Sequence, residues 1–376
     1  MKTLRIGRRL VGEGQPCFVL AEGGVNHNGD GALAEELVRI AAECHADAVK
    51  FQKRSIEDLL TRAALAMPYR KPTSLGATYG EHRERLELDA SVWYALRDLA
   101  ADLGLEFLGS AWDRRSADFL LELGTPAIKT PSAVLTDLGL LDYVACLAVP
   151  LIVSTGMSTQ KEVDEAVNTI LKHTDQLILC QCTSTYPSEF AEINLRVMDT
   201  YRERYGVLVG YSGHERGIAV TEAAATLGAV LVERHFTRDR TLPGPDHAAS
   251  LEPIGLAKLV RDIRHIEVAL GSPEKTIVPA EEPVRERLAK SVVAARPIPA
   301  GTVVGPEHLA AKGPGDGIPA NHLARLIGRV AAVDVAPDTL LPRDALDWPA
   351  AALRTPGDEP PQSLSLGEAG ERTRAG

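Results

Sequence analysis

The chain has 376 residues, 45% of them hydrophobic, and a formal net charge of −10. That length exceeds one average domain and fits a barrel of roughly 250 residues plus a smaller module. The acidic balance excludes the basic footprint that nucleic acid or an anionic membrane requires, whereas a few local Lys and Arg suffice for an anionic small molecule.

The opening stretch MKTLRIGRRLVGEG lacks the apolar run of a signal peptide. No later stretch approaches the ~18 apolar residues of a membrane span, so a soluble cytoplasmic protein is expected. From residue 17, short apolar runs alternate with helical patterns. Strands are predicted at 17–22 (CFVLAE), 47–52 (DAVKFQ), 105–110 (LEFLGS), 127–130 (AIKT), 150–155 (PLIVST), 177–182 (LILCQC), 207–212 (VLVGYS) and 230–235 (VLVERH). Between them, GALAEELVRIAAEC places Leu33, Leu37, Ile40 and Cys44 on one helical stripe. ASVWYALRDLAADLG ends at Gly104, a C-terminal cap. KEVDEAVNTILKH carries acid early and Lys172 and His173 late, matching the helix dipole. The five cysteines form no disulfide framework. Cys180 and Cys182 are read as pointing to opposite faces of their strand, which disfavours a bridge between them.

Eight strands alternating with helices predict a (β/α)8 TIM barrel over 1–272. The segment 53–90 is too long for a simple crossover and is expected to face substrate or an interface. A proline-containing linker at 273–285 leads to a small β-rich unit at 286–347. The tail 348–376, rich in Pro, Gly, Ser and Glu, is expected to be disordered.

In such a barrel the C-terminal strand ends face the active site. The polar residues there are Glu22, Lys50, Gln52, Ser110, Lys129, Ser132, Ser154, Thr183, Ser184, Tyr186, Ser212, His214 and His235. Lys50 and Lys129 lie inside apolar runs, where a charge is costly unless paired. With nearby hydroxyls they make a phosphate cradle; the bland alternative is two lysines snorkelling to solvent. His214 and His235 end neighbouring strands and are placed to share a divalent metal as a Lewis-acid site. The same spacing fits a hydrogen-bonded histidine pair without metal. Glu22 is a general acid or base, a ligand for hydroxyls, or a salt-bridge partner of an arginine such as Arg234. Asp246, in the loop after the last strand, is positioned to hold a sugar hydroxyl. His27 is read as structural. Arg62, Arg70 and Lys71 are candidates for a sugar phosphate, with a solvated basic loop as the bland reading.

Several blocks, AEGGVNHNG, VKFQK, TYGEHRERLEL, STGMS, LCQCTSTYPSEFAEINLRVM, VGYSGHERGIAV, LVERHFTRDRTLPGPDHAASLEP and AKSVVAARPIPAG, together resemble the sialic acid synthases. The resemblance spans roughly residues 3–347 and identifies the C-terminal unit as similar to that family's antifreeze-like (SAF) domain. It implies condensation of phosphoenolpyruvate with an open-chain mannosamine-type aldose, N-acetylmannosamine or its 6-phosphate, to a nine-carbon 2-keto-3-deoxy sugar acid plus phosphate. It implies that Lys50, Ser110, Lys129, Ser132, Ser154, Ser184 and Ser212 bind phosphoenolpyruvate, and that Glu22, Gln52, Tyr186 and Asp246 line the sugar site. It implies Mn2+ or Mg2+ on His214 and His235, with Glu22 managing protons, and a domain-swapped homodimer.

Three departures stand out. Gly313 occupies the place of an arginine in an Arg-Pro-Gly that contacts the N-acyl group in many bacterial relatives, with Lys312 the nearest substitute; mannose or another acyl-amino sugar is therefore an alternative acceptor. Gly23 replaces a usual isoleucine and is expected to loosen local packing. Ser184 stands where some relatives carry asparagine. A metal-dependent barrel hydrolase or epimerase is the competing enzymatic reading and needs more ligands, such as a His-x-His pair. A carbohydrate-binding dead barrel is the non-enzymatic one and needs a lost lysine or histidine. The sequence shows neither feature.

Overall fold

The structure, a computed structural model, describes residues 1–70 and 74–347. Lys71 and the tail expected to be disordered lie outside the described residues. The chain divides into two compact units, Met1–Gly271 and Ser272–Gly376.

The first unit opens with an unanticipated antiparallel hairpin, β1 (Thr3–Ile6) and β2 (Arg9–Gly12). Eight strands then follow: β3 (Phe18–Gly24), β4 (Ala48–Lys53), β5 (Glu106–Ala111), β6 (Ile128–Thr130), β7 (Leu151–Ser154), β8 (Leu177–Cys182), β9 (Leu208–Gly213) and β10 (Leu231–His235). They pair in chain order, all parallel, and β10 returns to β3 to close the barrel. The predicted barrel is therefore observed. The predicted strands agree to within two residues at each end.

Side chains alternate across each strand, so every second residue points inward. Toward the N-terminal end these inward positions are apolar: Phe18, Leu20, Ala48, Leu108, Ile152, Ile178, Cys180 and Leu231 form one buried cluster. Leu4, Ile6 and Val11 of the hairpin belong to the same cluster and cap that end. Arg8 and Arg9 tie the hairpin to Glu106 at 3.1 Å and Asp47 at 3.0 Å. One inward step further along, the same faces carry Glu22, Lys50, Ser110, Lys129, Ser154, Cys182 and Glu233. Cys180 and Cys182 thus share the inner face, which corrects the expectation of opposite faces. Both remain free thiols.

The outward residues meet the helices. Val19, Val49 and Phe51 pack with Leu37 and Ala41 of the helix Gly31–Glu43 and with Trp93 and Leu96 of the helix Ala90–Asp102. Asp30 caps the first helix, accepting from the amides of Ala32 and Leu33. Gly104 follows the second at φ +80°, the left-handed turn its cap requires. The loosening expected at Gly23 is overturned. A Cβ there would lie 2.5 Å from the Phe51 ring, so phenylalanine already fills that space.

Among its described residues, the insertion after β4 has three short helices, Ile56–Leu59, Arg62–Leu65 and Tyr79–Glu84. Within it Tyr69 stacks on the buried His82, ring centroids 4.6 Å apart.

In the second unit the end of the expected linker is helical, Glu282–Leu288, with Pro283 in its first turn. β11 (Ser291–Ala294) pairs antiparallel with β12 (Leu309–Lys312) over a core that includes Val292, Ile298, Val304 and Leu341. Among the described residues, no helix is long and apolar enough to cross a membrane.

Candidate active site

The C-terminal strand ends enclose a cavity of about 190 Å³. Glu22, Lys50, Gln52, Ser110, Lys129 and Ser132 line it on one side of the barrel. Ser154, Ser184, Tyr186, Ser212, His214 and His235 line it on the other, with Trp112, Cys182 and Glu233 also in the wall. Of the predicted strand-end and loop residues, Thr183 and Asp246 do not line it: Thr183 lines the adjoining groove, and Asp246 Oδ2 lies 3.7 Å from His235 Nδ1. Arg62 and Arg70 are exposed and do not line the cavity. A larger groove of about 1230 Å³ adjoins it, sharing Met157, Cys182 and Ser184, but contains neither lysine nor histidine.

Neither lysine snorkels; both are buried. Lys50 is ion-paired to Glu22 and donates to Ser110 Oγ at 2.6 Å. Lys129 donates to Ser154 Oγ at 2.7 Å. Between them sits Glu233, its carboxylate oxygens 3.8 Å from Lys50 Nζ and 3.9 Å from Lys129 Nζ, with Ser212 Oγ donating to it at 3.2 Å. The expected cradle is therefore two lysines balanced by two carboxylates, not two free cations. Burying each of these ions costs several kcal/mol, which mutual pairing offsets. Sequence reasoning missed Glu233 because it lies inside the apolar run VLVERH. Counting back two residues from His235 on the same face would have found it. Arg234, one residue out of phase, faces outward and pairs with Glu215 at 2.7 Å, not with Glu22.

Burial pushes the Glu22 carboxyl above its ordinary range, opposed by Lys50 and reinforced by Glu233. Burial acts the same way on Glu233, but the Lys129 and Lys50 ammoniums outweigh it and hold that carboxyl at about 2. Two carboxylates in one cavity are thereby shifted in opposite directions, Glu22 toward holding a proton and Glu233 toward staying ionised.

Ser132 and Ser184 approach closely over Gly156. A Cβ at Gly156 would fall 2.1 Å from Ser184 Oγ and 2.9 Å from Ser132 Oγ. The Gly156 amide donates to Ser132 Oγ at 2.9 Å.

The His214 and His235 rings lie 5.4 Å apart at 48°. His214 Nδ1 donates to the Thr183 carbonyl at 2.8 Å, which leaves Nε2 as the lone-pair nitrogen. Burial lowers His235 to about 4, and its buried Nδ1 has no hydrogen-bond partner. His235 thus suits a divalent cation as it stands, whereas His214, which burial lowers but Cys182 and the Thr183 carbonyl raise on balance, would have to give up a proton to join it. No group of three or more candidate ligands exists among the described residues. The remaining positions of such an ion would fall to water and substrate oxygens. Tyr186 covers the pair, its ring 4.0 Å from His214. His27 is structural, as expected: it is buried, packs edge-on to Phe51 and accepts from the Gly29 amide. In the second unit, Lys312, the suggested stand-in for the missing arginine, is ion-paired to Asp338.

Fold and site together define a (β/α)8-barrel enzyme that sets a histidine pair beside a buried, charge-balanced lysine–carboxylate array. The chain belongs to the NeuB family, whose family model matches residues 37–275, and the SAF domain model matches residues 289–347. It is 39% identical to the N-acetylneuraminate-9-phosphate synthase of Homo sapiens, covering 90% of this chain and 95% of that protein. It is 38% identical to the N,N'-diacetyllegionaminic acid synthase of Legionella pneumophila, covering 89% and 96%. Among solved structures it is similar to the N-acetylneuraminic acid synthetase of Leptospira borgpetersenii, obtained in complex with citrate. That match has a TM-score of 0.66 and 28% identity, over 75% of this chain and 95% of the other. The chain is accordingly a sialic acid synthase-like enzyme.

Proposed function

We propose that the enzyme condenses phosphoenolpyruvate with a mannosamine-type aldose, N-acetylmannosamine or its 6-phosphate, giving a nine-carbon 2-keto-3-deoxy sugar acid and phosphate. The observation that carries this reading is the meeting of Lys50, Lys129 and Glu233 with His214 and His235 in one cavity. Lys50 and Lys129, with Ser110, Ser132, Ser154, Ser184 and Ser212, bind the enol phosphate and its carboxylate. The ammoniums act strongly because the cavity excludes bulk water. Glu22, Gln52 and Tyr186 line the aldose side, with Asp246 beside His235.

His214 and His235 would hold Mn2+ or Mg2+, which when bound supplies a Lewis acid for the aldehyde oxygen. Carbon 3 of phosphoenolpyruvate forms the new bond to the aldehyde carbon, and carbon 2 gains oxocarbenium character. Water adds to carbon 2 and gives one proton to Glu22, matching the proton that the aldehyde-derived alkoxide takes up to become a hydroxyl, and its second proton leaves with the phosphate as carbon 2 becomes the ketone. The C–O bond to phosphate then breaks, and the lysine–hydroxyl cradle takes up the departing anion. Names of the relatives support acceptors with acyl-amino groups; mannose, giving a deaminated product, is the alternative acceptor. The active assembly is proposed to be a homodimer.

Phosphate release from phosphoenolpyruvate tests the reading across a panel of aldoses, with EDTA and with Mn2+ or Mg2+ restored. Release that requires both sugar and metal is expected. Release that ignores EDTA removes the metal, and no release with any aldose removes the reaction.

A further inference from the structure

One wall of the cavity takes no part in the reaction above. Trp112 follows β5 and lines the cavity beside Gln52. The guanidinium of the buried Arg54 lies over its ring, 4.5 Å from the centroid. The indole N–H has no acceptor among the described residues, so this stacking is what orients the ring from behind. Arg54 is itself fixed by Glu87, at the end of the long insertion, through both its backbone amide at 3.2 Å and its side chain at 3.4 Å.

The same guanidinium sets Gln52. Arg54 can only donate, and it donates to Gln52 Oε1, while Gln52 Nε2 donates to Glu22 Oε1 at 3.0 Å. The amide is thereby locked in one orientation, with one N–H and one oxygen lone pair left for a ligand. An acyl-amino group has the complementary pair, one C=O and one N–H. It also has carbon that an indole face can cover, which a bare hydroxyl lacks.

We propose that Trp112 is a specificity-determining wall that selects aldoses bearing an acyl-amino substituent, and that Arg54 is the positioning residue holding both Trp112 and the Gln52 amide. This rests on the condensation reading above and deepens it.

The test begins with the wild-type enzyme and compares kcat/KM for N-acetylmannosamine and for mannose, or for their 6-phosphates, with KM for phosphoenolpyruvate as internal control. Trp112→Ala should lower the acetamido-to-hydroxyl selectivity by on the order of tenfold, the scale set by one small group in an apolar pocket. KM for phosphoenolpyruvate should stay within about twofold, because truncating one wall removes binding only from the group it touches. Arg54→Ser should reproduce the loss, and Arg54→Lys should restore part of it, since lysine keeps the charge but not the flat stack. Intrinsic fluorescence gives a readout independent of turnover. Trp93 is sealed in the core and the third tryptophan, Trp348, is removed by using a Trp348→Phe background, so a change on adding N-acetylmannosamine should vanish in Trp112→Phe, which also serves if Trp112→Ala does not fold. Unchanged selectivity in the Trp112 variants overturns the proposal, as does an equal rise of KM for both aldoses and phosphoenolpyruvate. No phosphate release by the wild type with any aldose instead overturns the condensation reading, and the proposal with it.

Discussion

Glu22 and Lys50 are ion-paired across adjacent barrel strands whose register sets them directly opposite one another. The pair is fully buried, and the same lysine also faces Glu233 at 3.8 Å. One lysine therefore has two carboxylates in reach, and which carboxylate holds a proton decides the chemistry.

Glu22→Gln keeps the shape and the hydrogen bond from Gln52 but removes the proton acceptor. A loss of about 10²-fold or more in kcat/KM is expected, with the fold retained. If Glu22 takes the proton of water, as proposed, it must be ionised to do so, and activity should fall as pH drops through its raised pKa. That acid limb should lie above the ordinary carboxylate range and be missing in Glu22→Gln. A variant with wild-type rate and pH profile would remove Glu22 from the mechanism.

Glu233→Gln removes the carboxylate paired with Lys129 and leaves Lys50 with Glu22 alone. Leaving a buried charge short of its partner costs about 3–5 kcal/mol, read by urea unfolding. Because the loss is one of pairing, Glu233→Gln combined with Lys129→Met should cost clearly less than the two single changes added together. Simple additivity would show that Glu233 and Lys129 do not interact.

Gly156→Ala is a test of the hydroxyl cradle. The new methyl must displace Ser184 and Ser132 from positions 2.1 Å and 2.9 Å away. Misplacing binding groups by such amounts is worth about ten- to a hundredfold, and it should appear in KM for phosphoenolpyruvate more than in KM for the aldose. An effect confined to the aldose would place these serines on the wrong substrate.

His27 predicts a pH-dependent stability. Burial lowers its folded-state pKa from the ordinary 6.5 to about 3. The folded state thus binds fewer protons than the unfolded state between these values. Its contribution is present above about pH 6.5 and is lost as pH falls toward 3. Comparing unfolding free energies at pH 7 and pH 4, the wild type should lose a few kcal/mol more than His27→Phe. Equal losses would mean that His27 is protonated in the fold without penalty.

The sequence by itself determined the barrel, because apolar runs of strand length alternating with amphipathic helices admit one covered, parallel solution. It also determined most of the site, because a barrel collects the polar residues at its strand ends, and that rule needs no coordinates. Inner and outer faces were legible in principle through the two-residue period. It was misapplied at Cys180 and Cys182 and left unused at Glu233, whose charge is hidden between Val232 and Arg234. Tertiary structure alone decided who pairs with whom. Lys50 meets Glu22 because strand register aligns them, Phe51 takes the space beside Gly23, and Arg54 reaches Trp112 from the neighbouring strand end. Such pairings depend on cross-strand register and on side chains brought together from distant segments, information that no local pattern carries.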